Sequence, residues 1–553
     1  MPLSARCTVT GDTFTISAFE REYCRTFDIP LPVISPLPRL RNLGAFRNRT
    51  YLYHGQCAHT GRKILTSIAP ERGFIVWDRD VFESDEYSPA SFGRNYDFNR
   101  PFFQQFEELL RSVPLPNLST NRPTMENSDF TNGITGAKNC YLIFSSSFNE
   151  DCLYSKLLYK CRDVVGCVLA KECELCYACS GVHRCYNVLF SENCHDCADS
   201  AFLSNCQSCR NCFGCVNLTQ KEYHFFNEPL SKDEYQRRIN GIFLGSHRTV
   251  EDIRTKYAAF REQFAVRAIE GLRNENSTGQ YLNNTKNCAS CYSVSEAEDL
   301  ESCIYVNDAH SSLFWFGYGN SSRGIYSSVT VGDSSENVRF SFECWPSVHD
   351  LEYCAYLHRG SHDCFGSVGL RKSAYCILNK QYSKEDYHQM VRRIKEHMRS
   401  TGEYGRFFPF SCSPNYFNRS EGYDWMPLGK DAALRQGFHW LDSDDEEHEM
   451  VTSLPDDVRD VGDDFLQTAL TCEVSGKQFK LQKAELDFHR RRNLALPRVA
   501  PLERIRLAAR FLEVVPLRPT VCGACSASIV SAREQSLREI LCEQCFRSRS
   551  LDG

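Results

Sequence analysis

"CELCYACSGVHRCYNVLFSENCHDC", residues 173–197, sets six cysteines among its residues, two pairs of them, Cys173/Cys176 and Cys194/Cys197, at the C-x-x-C spacing of a metal knuckle. The surrounding chain gives that spacing another meaning. Between 140 and 215 the cysteines stand at 140, 152, 161, 167, 173, 176, 179, 185, 194, 197, 206, 209, 212 and 215, and every interval is a multiple of three. A second spacing is superposed. Cys152, Cys173, Cys194 and Cys215 are each 21 apart, as are the pairs 140/161, 176/197 and 185/206.

Extended from Thr131 to Cys212, the triplet phase visits only Cys, Ser, Thr, Ala, Val, Ile and Leu, with Asn149 the single exception. All fifteen Asp, Glu, Lys and Arg residues of that span fall on the other two phases. A column of small and aliphatic residues is an inward face, and the charges face outward. A strand open to water on one face repeats every two residues and a helix every 3.6. Period three therefore predicts a narrow parallel β-helix, its coils stacked about 4.8 Å apart, with 21-residue coils and handedness left open. A looser second array follows over 275–380. Its close, "FGSVGLRKSAYCILNKQYSKEDY" from Phe365, aligns at offset 152 with "FGCVNLTQKEYHFFNEPLSKDEY" from Phe213, while its cysteines thin out and lose the phase.

The two ends of the chain are also duplicates. At a constant offset of 465, "CTVTGDTFTISAFEREY" from Cys7 falls on "CEVSGKQFKLQKAELDF" from Cys472, placing Glu20 on Glu485, Arg39 on Arg504 and Cys57 on Cys522. In the C-terminal copy, Cys522-x2-Cys525, sixteen residues and Cys542-x2-Cys545 have the spacing of a four-thiolate zinc ribbon. Four thiolates close a tetrahedral shell, so the expected Zn2+ is structural and not catalytic. In the N-terminal copy Thr60, Trp77 and Asp80 stand opposite Cys525, Cys542 and Cys545. One thiolate cannot hold zinc, and that copy is expected to fold metal-free by apolar packing around Trp77.

These readings predict a multi-domain, mainly β protein: two parallel β-helix arrays, helical connectors, and small zinc-ribbon-like modules duplicated at both ends. The segments are 1–83, a ribbon-like module with a degenerate metal site; 84–125, a helical connector; 126–229, the cysteine-rich array; 230–274, a second helical connector; 275–380, the second array; 381–465, a helix, an irregular stretch and an acidic linker; and 466–553, the ribbon module. Ser231 and Thr249 are expected helix N-caps, and a helix is expected between Pro101 and Pro114. Residues 442–464 hold eleven acids and one arginine, the composition of a solvated linker.

The chain has 553 residues, 30 cysteines and a formal charge of −6. It shows neither a signal-peptide pattern nor an apolar run long enough for a membrane. Many cysteines without an export signal suggest a reducing cytoplasm.

The combination of "CEVSGKQFKLQKAELDFHRRRNLALPR", "YDFNRPFFQQFEELLRSVPLP", the two closing motifs and "YGRFFPFSCSPNYFNRSEGYDWMPLGKDAALRQGFHW" resembles an uncharacterised family of cysteine-rich, zinc-ribbon-ended proteins frequent in small-genome, uncultivated bacteria. The resemblance spans nearly the whole chain. It implies a bacterial cytoplasmic protein with structural zinc and carries no established activity. Members often keep C-x-x-C pairs in the N-terminal module, where this chain has Ser35 and Pro38.

Three functions compete. The first is a non-enzymatic zinc-containing scaffold whose arrays and ribbon bind a macromolecular partner. Nucleic acid is one candidate, through Arg490, Arg491, Arg492, Arg498, Arg504, Arg506 and Arg510. The second is soft-metal or redox chemistry on thiol columns, such as Cys152, Cys173, Cys194 and Cys215, or Cys176 and Cys197. The exchange of Cys with Ser, Ala and Val in one phase argues for packing instead. The third is an enzyme, for which no paired carboxylates, nucleophile motif or phosphate loop is present. His183 and His195 lie off the inward phase and read as surface residues.

Overall fold

The computed structural model describes residues 3–442, 454–533 and 538–552. Part of the acidic stretch, 443–453, lies outside the described residues. The chain folds as two compact units, each assembled from separate stretches: 1–119 with 269–442 and 512–518, and 120–268 with 443–511 and 519–553. Each unit contains one β-helix. Among the described residues no helix is long and apolar enough to cross a membrane.

The first β-helix stacks parallel strands that include Tyr141–Glu150, Leu153–Tyr159, Val168–Lys171 and Ser180–His183. Its register corrects the expected coil length. Leu153 lies opposite Tyr141, Val168 opposite Lys156 and Ser180 opposite Val168, so one coil takes 12 residues, not 21. The reason is a left-handed corner at every third residue: φ is 53° at Asp151, 50° at Tyr154, 62° at Leu157, 51° at Lys160 and 51° at Asp163. Each triplet thus supplies one inward residue, one outward residue and one corner, and four corners close a coil.

Such corners cost a non-glycine residue roughly 1–2 kcal/mol, and many of them are Asn, Asp or Gly, as at Asn139, Gly166, Gly181 and Asn193. Interstrand bonds offset the cost. In the triplet from Cys173, Glu174 N–H donates to Cys185 O at 3.0 Å and Leu175 N–H to Arg162 O at 3.1 Å. Where the residue one coil earlier is Ser, Cys or Asn, its side chain can meet the inward residue's N–H. Ser155 Oγ accepts from Cys167 N–H at 3.0 Å and donates to Leu153 O at 2.8 Å. Cys167 Sγ repeats this, accepting from Cys179 N–H at 3.3 Å and donating to Val165 O at 3.6 Å. Cysteine and serine therefore do the same work: both fit a narrow bore and both pair backbone groups that burial would otherwise strand.

The second β-helix opens on an 11-residue step, Gly271 opposite Leu282, and then takes the same coil as the first, Gly279 opposite Cys291 and Tyr292 opposite Ile304. It widens to 13 residues from Ala309 opposite Ser322 through His349 opposite His362, then narrows again where His362 meets Ala374. The extra residue enters at a corner, giving consecutive left-handed residues at Asp333 and Ser334 and at Arg359 and Gly360. The wider bore takes larger side chains, including fully buried Trp315, Ile325 and Leu357. This insertion is the phase slip visible in the sequence.

Helices Lys232–Asn240 and Lys384–Ser400 are capped by Ser231 and Ser383, and Phe102–Ser112 follows Pro101. Helix His247–Arg261 starts earlier than expected. Its cap is Ser246, whose hydroxyl accepts from Thr249 N–H, so Thr249 is a helical residue and not the cap.

Each terminal module packs on the β-helix of its own unit by the same device. Helices Ala18–Thr26 and Pro36–Gly44 bring Glu20 to Arg39 at 2.7 Å, and Tyr326 Oη of the second β-helix donates to Glu20 at 2.9 Å. Tyr23 stacks on Tyr326 with ring centroids 4.9 Å apart. In the other unit, helices Lys483–Arg492 and Pro501–Ala509 bring Glu485 to Arg504 at 2.7 Å. There Arg504 lies over Tyr154 of the first β-helix at 4.6 Å, and Phe488 packs on Tyr177. The 465-residue duplication thus preserves a buried ion pair seated on solenoid tyrosines.

Candidate metal centre

The C-terminal ribbon is a pair of knuckles. Strands Arg518–Val521 and Ser528–Ser531 flank the first. Its turn is closed by Cys522 N–H to Ala527 O and Ser526 N–H to Cys522 O, both at 2.9 Å. Strand Ile540–Leu541 leads into the second, where Cys542 precedes helix Glu543–Asp552 and Cys545 sits in its first turn. That strand pairs in parallel with Val266–Arg267, and Arg267 covers the Phe546 ring at 4.5 Å. The second knuckle is therefore anchored outside its own hairpin.

The four sulfurs of Cys522, Cys525, Cys542 and Cys545 all lie within 4.8 Å of one another. Cys525 and Cys542 are 3.8 Å apart. A tetrahedral zinc with bonds of about 2.3 Å needs sulfurs about 3.8 Å apart, so the donor set fits a metal ion. Cys522 is buried, Cys542 and Cys545 half-buried and Cys525 exposed. Burial pushes the Cys522 thiol up, but backbone N–H groups of Cys542, Cys525 and Ala524 outweigh it and bring it down to about 6. Hydrogen bonds with Cys542 and Cys525, the first of these the strongest, push Cys545 up to about 12. Four thiols this close cannot all ionise unless a cation shares their charge.

The same knuckle occurs at three further places, a repeat the sequence reading missed. "CTVTGD" from Cys7 and "CAHTGR" from Cys57 are 50 residues apart, as are "CEVSGK" from Cys472 and "CGACSA" from Cys522. The bond from the fifth residue's N–H back to the cysteine carbonyl is 2.9 Å in all four. The fifth residue is left-handed in each, with φ 77° at Gly11, 70° at Gly61, 68° at Gly476 and 59° at Ser526.

The three cysteines without thiolate partners accept hydrogen bonds instead. Cys7 Sγ takes the Ser35 N–H at 3.3 Å and hydroxyl at 3.2 Å, Cys57 the Asp78 N–H at 3.3 Å, and Cys472 the Ala500 N–H at 3.2 Å. For Cys7, burial raises the thiol, but Ser35 and Thr10 together lower it to about 6. Trp77 packs on His59 with centroids 4.5 Å apart.

The register of the first β-helix separates the expected thiol columns. Because 21 residues are one coil and three sides, Cys152, Cys173, Cys194 and Cys215 lie on four different sides, and Cys176 and Cys197 on two. The column actually built holds Cys161, Cys173, Cys185, Cys197 and Cys209. Its thiols donate to carbonyls, as Cys173 does to Lys171 O at 3.3 Å. Among the described residues, the ribbon is where three or more metal-ligating side chains converge. His183 and His195 lie edge to face on the outer side, with Glu172 3.6 Å from His183.

The seven arginines do not form one open patch. Arg504 is half-buried against Glu485, while Arg490 binds Asp463 and Val461 O. Arg492 binds Leu175 O and Asn187, Arg498 lies 3.7 Å from Glu473, and Arg506 pairs with Glu503. Arg491 and Arg510 are exposed. Five of the seven are thus engaged by partners within the module or its own unit.

Compared with known proteins, the chain matches no family model and no curated protein.

Proposed function

We propose that the protein is a non-enzymatic scaffold of the cytoplasm, stabilised by one structural zinc ion and presenting β-helix and ribbon surfaces to a macromolecular partner. The observation that carries this reading is the Cys522, Cys525, Cys542 and Cys545 group, whose four sulfurs fill a tetrahedral shell and leave a metal no open position for substrate. The thiols of the first β-helix support it, since the inward sulfurs of the column bond to backbone carbonyls and serve the coil. Metal analysis of the full-length protein, joined to thiol titration before and after denaturation, tests it. The expected result is one zinc per chain and β-helix thiols that react only on unfolding. Metal-free protein, or several soft ions per chain, overturns it.

A second reading, soft-ion binding inside the first β-helix, rests on the five-deep cysteine column. Within that column the thiols are engaged with one another and with carbonyls, hydrogen bonding with Cys173 pushing Cys185 up to about 12 while it lowers Cys161, and the same metal count separates the two.

A further inference from the structure

The close of the second β-helix borders a depression of about 650 Å³, lined by its last coil and by residues of the 90–95 segment. Three cations line it, Arg94, Lys372 and Lys380, and none of the lining residues is acidic. Arg94 is fixed in place: its N–H donates to Leu378 O at 3.1 Å, its guanidinium donates to Ser112 Oγ at 2.9 Å, and Glu108 stands behind it at 4.0 Å. Lys380 Nζ donates to a neutral partner, Asn95 Oδ1, at 2.7 Å. Lys372 occupies an exposed left-handed corner, φ 48°, and among the described residues makes no ion pair.

The first β-helix supplies an internal control. Its close has the same backbone device: Asn227 Oδ1 accepts from Val216 N–H at 2.9 Å and its amide donates to Val216 O at 3.0 Å. In the second β-helix, Asn379 makes these bonds with Val368 at 2.7 and 2.8 Å. Yet at offset 152 Lys372 corresponds to Gln220 and Lys380 to Glu228, and Glu228 is neutralised by Arg238 at 2.8 Å. Arg238 corresponds to Met390. The turn therefore closes without either lysine. Like charges gathered around one concavity repel each other and focus a positive potential into it, a cost that an anionic ligand removes.

We propose that this depression binds a phosphorylated small molecule, with Lys372 and Lys380 as its charged contacts and Arg94 as a preplaced guanidinium. Ammonium groups hold phosphate as point charges and a guanidinium holds it through paired donors. The volume falls within the roughly 300–1,000 Å³ of small-molecule sites. The site belongs to a different unit from the metal centre and does not depend on the scaffold reading.

Calorimetric titration of the full-length protein with pyrophosphate at low salt tests it. Saturable binding is expected, weakened about tenfold or more in the K372Q/K380Q double variant, which loses two charge-assisted contacts. K221Q, at the matching close of the first β-helix, is expected to bind like the parent. Thermal melts of both variants should match the parent, since all three lysines are outside the cores. Absence of saturable binding, or equal affinity in the double variant, overturns the proposal. So does a short single-stranded RNA that loses affinity in the double variant when pyrophosphate does not, because the site would then read a polymer backbone.

Discussion

The two terminal modules share one chain path and have divergent chemistry. Cys7, Cys57 and Cys472 each sit in the same five-residue turn as Cys522, yet only the last turn carries a second cysteine, Cys525, and faces two more, Cys542 and Cys545. At Cys7, Ser35 supplies donors where a metal would otherwise sit. A knuckle turn is thus set by its own backbone bonds and survives loss of the ion. What it cannot do without metal is hold two knuckles together. In the degenerate copies that task falls to packing, as with Trp77 on His59, and to the buried Glu–Arg pair on the solenoid.

Breaking the four-thiolate shell should give the largest effect. In C525S/C542S, zinc should fall from one per chain to near none, with hydrogen-exchange protection lost over 518–531 and 540–541. Structural zinc binding is worth about 10–16 kcal/mol in small zinc peptides. Cys57→Ser should leave protection over 53–66 intact, and similar losses in both would erase the distinction between the knuckles.

Next come the buried pairs. Glu485→Ala strands Arg504 and should destabilise its unit by about 3–5 kcal/mol, read by denaturant-dependent hydrogen exchange. Glu20→Ala should cost about 1 kcal/mol less, because Arg39 keeps the Tyr326 oxygen at 3.2 Å and the Phe314 ring at 3.4 Å. Equal losses would show that the tyrosine contributes nothing.

Inside the first β-helix, Cys173→Leu should cost about 1–3 kcal/mol by overpacking, while Cys173→Ser stays near neutral, both by urea melts. A sulfur retained for metal chemistry would show instead as soft-ion binding by the parent that both variants lose.

The last test is a pH dependence. Cys7 is lowered from 9.0 to about 6 in the folded unit, so its thiolate favours folding. That contribution is complete above pH 9, declines between 9 and 6, and is gone below 6. The melting temperature of the parent relative to Cys7→Ala should therefore rise between pH 6 and 9. A flat difference would mean that Ser35 lends the thiolate no support.

The inward phase, the charge-bearing outer phases, the duplicated ends and the spacing of the four ribbon cysteines were all legible because each is a local repeat in residue type. The coil length was legible too, and the longer period masked it. Seven pairs of the first array's cysteines lie 12 apart (140/152, 161/173, 173/185, 185/197, 197/209, 167/179 and 194/206), against six at 21. Both numbers are multiples of three, so the inward phase alone does not choose between them. The corner signal that does choose was present as well, in Asn139, Asp151, Asp163, Asn187 and Asp199, all on one phase.

By itself the sequence determined that triplets build a narrow solenoid and that four cysteines converge in one group able to hold a metal ion, since periodicity and ligand spacing are properties of neighbouring residues. Only the tertiary structure decided that the N-terminal module belongs with the second β-helix and the C-terminal module with the first. Those partnerships rest on Glu20–Arg39 with Tyr326 and on Glu485–Arg504 with Tyr154, contacts between residues some 300 positions apart. A pairing at that distance is fixed by burial and charge in the folded chain, and leaves no periodic trace along it.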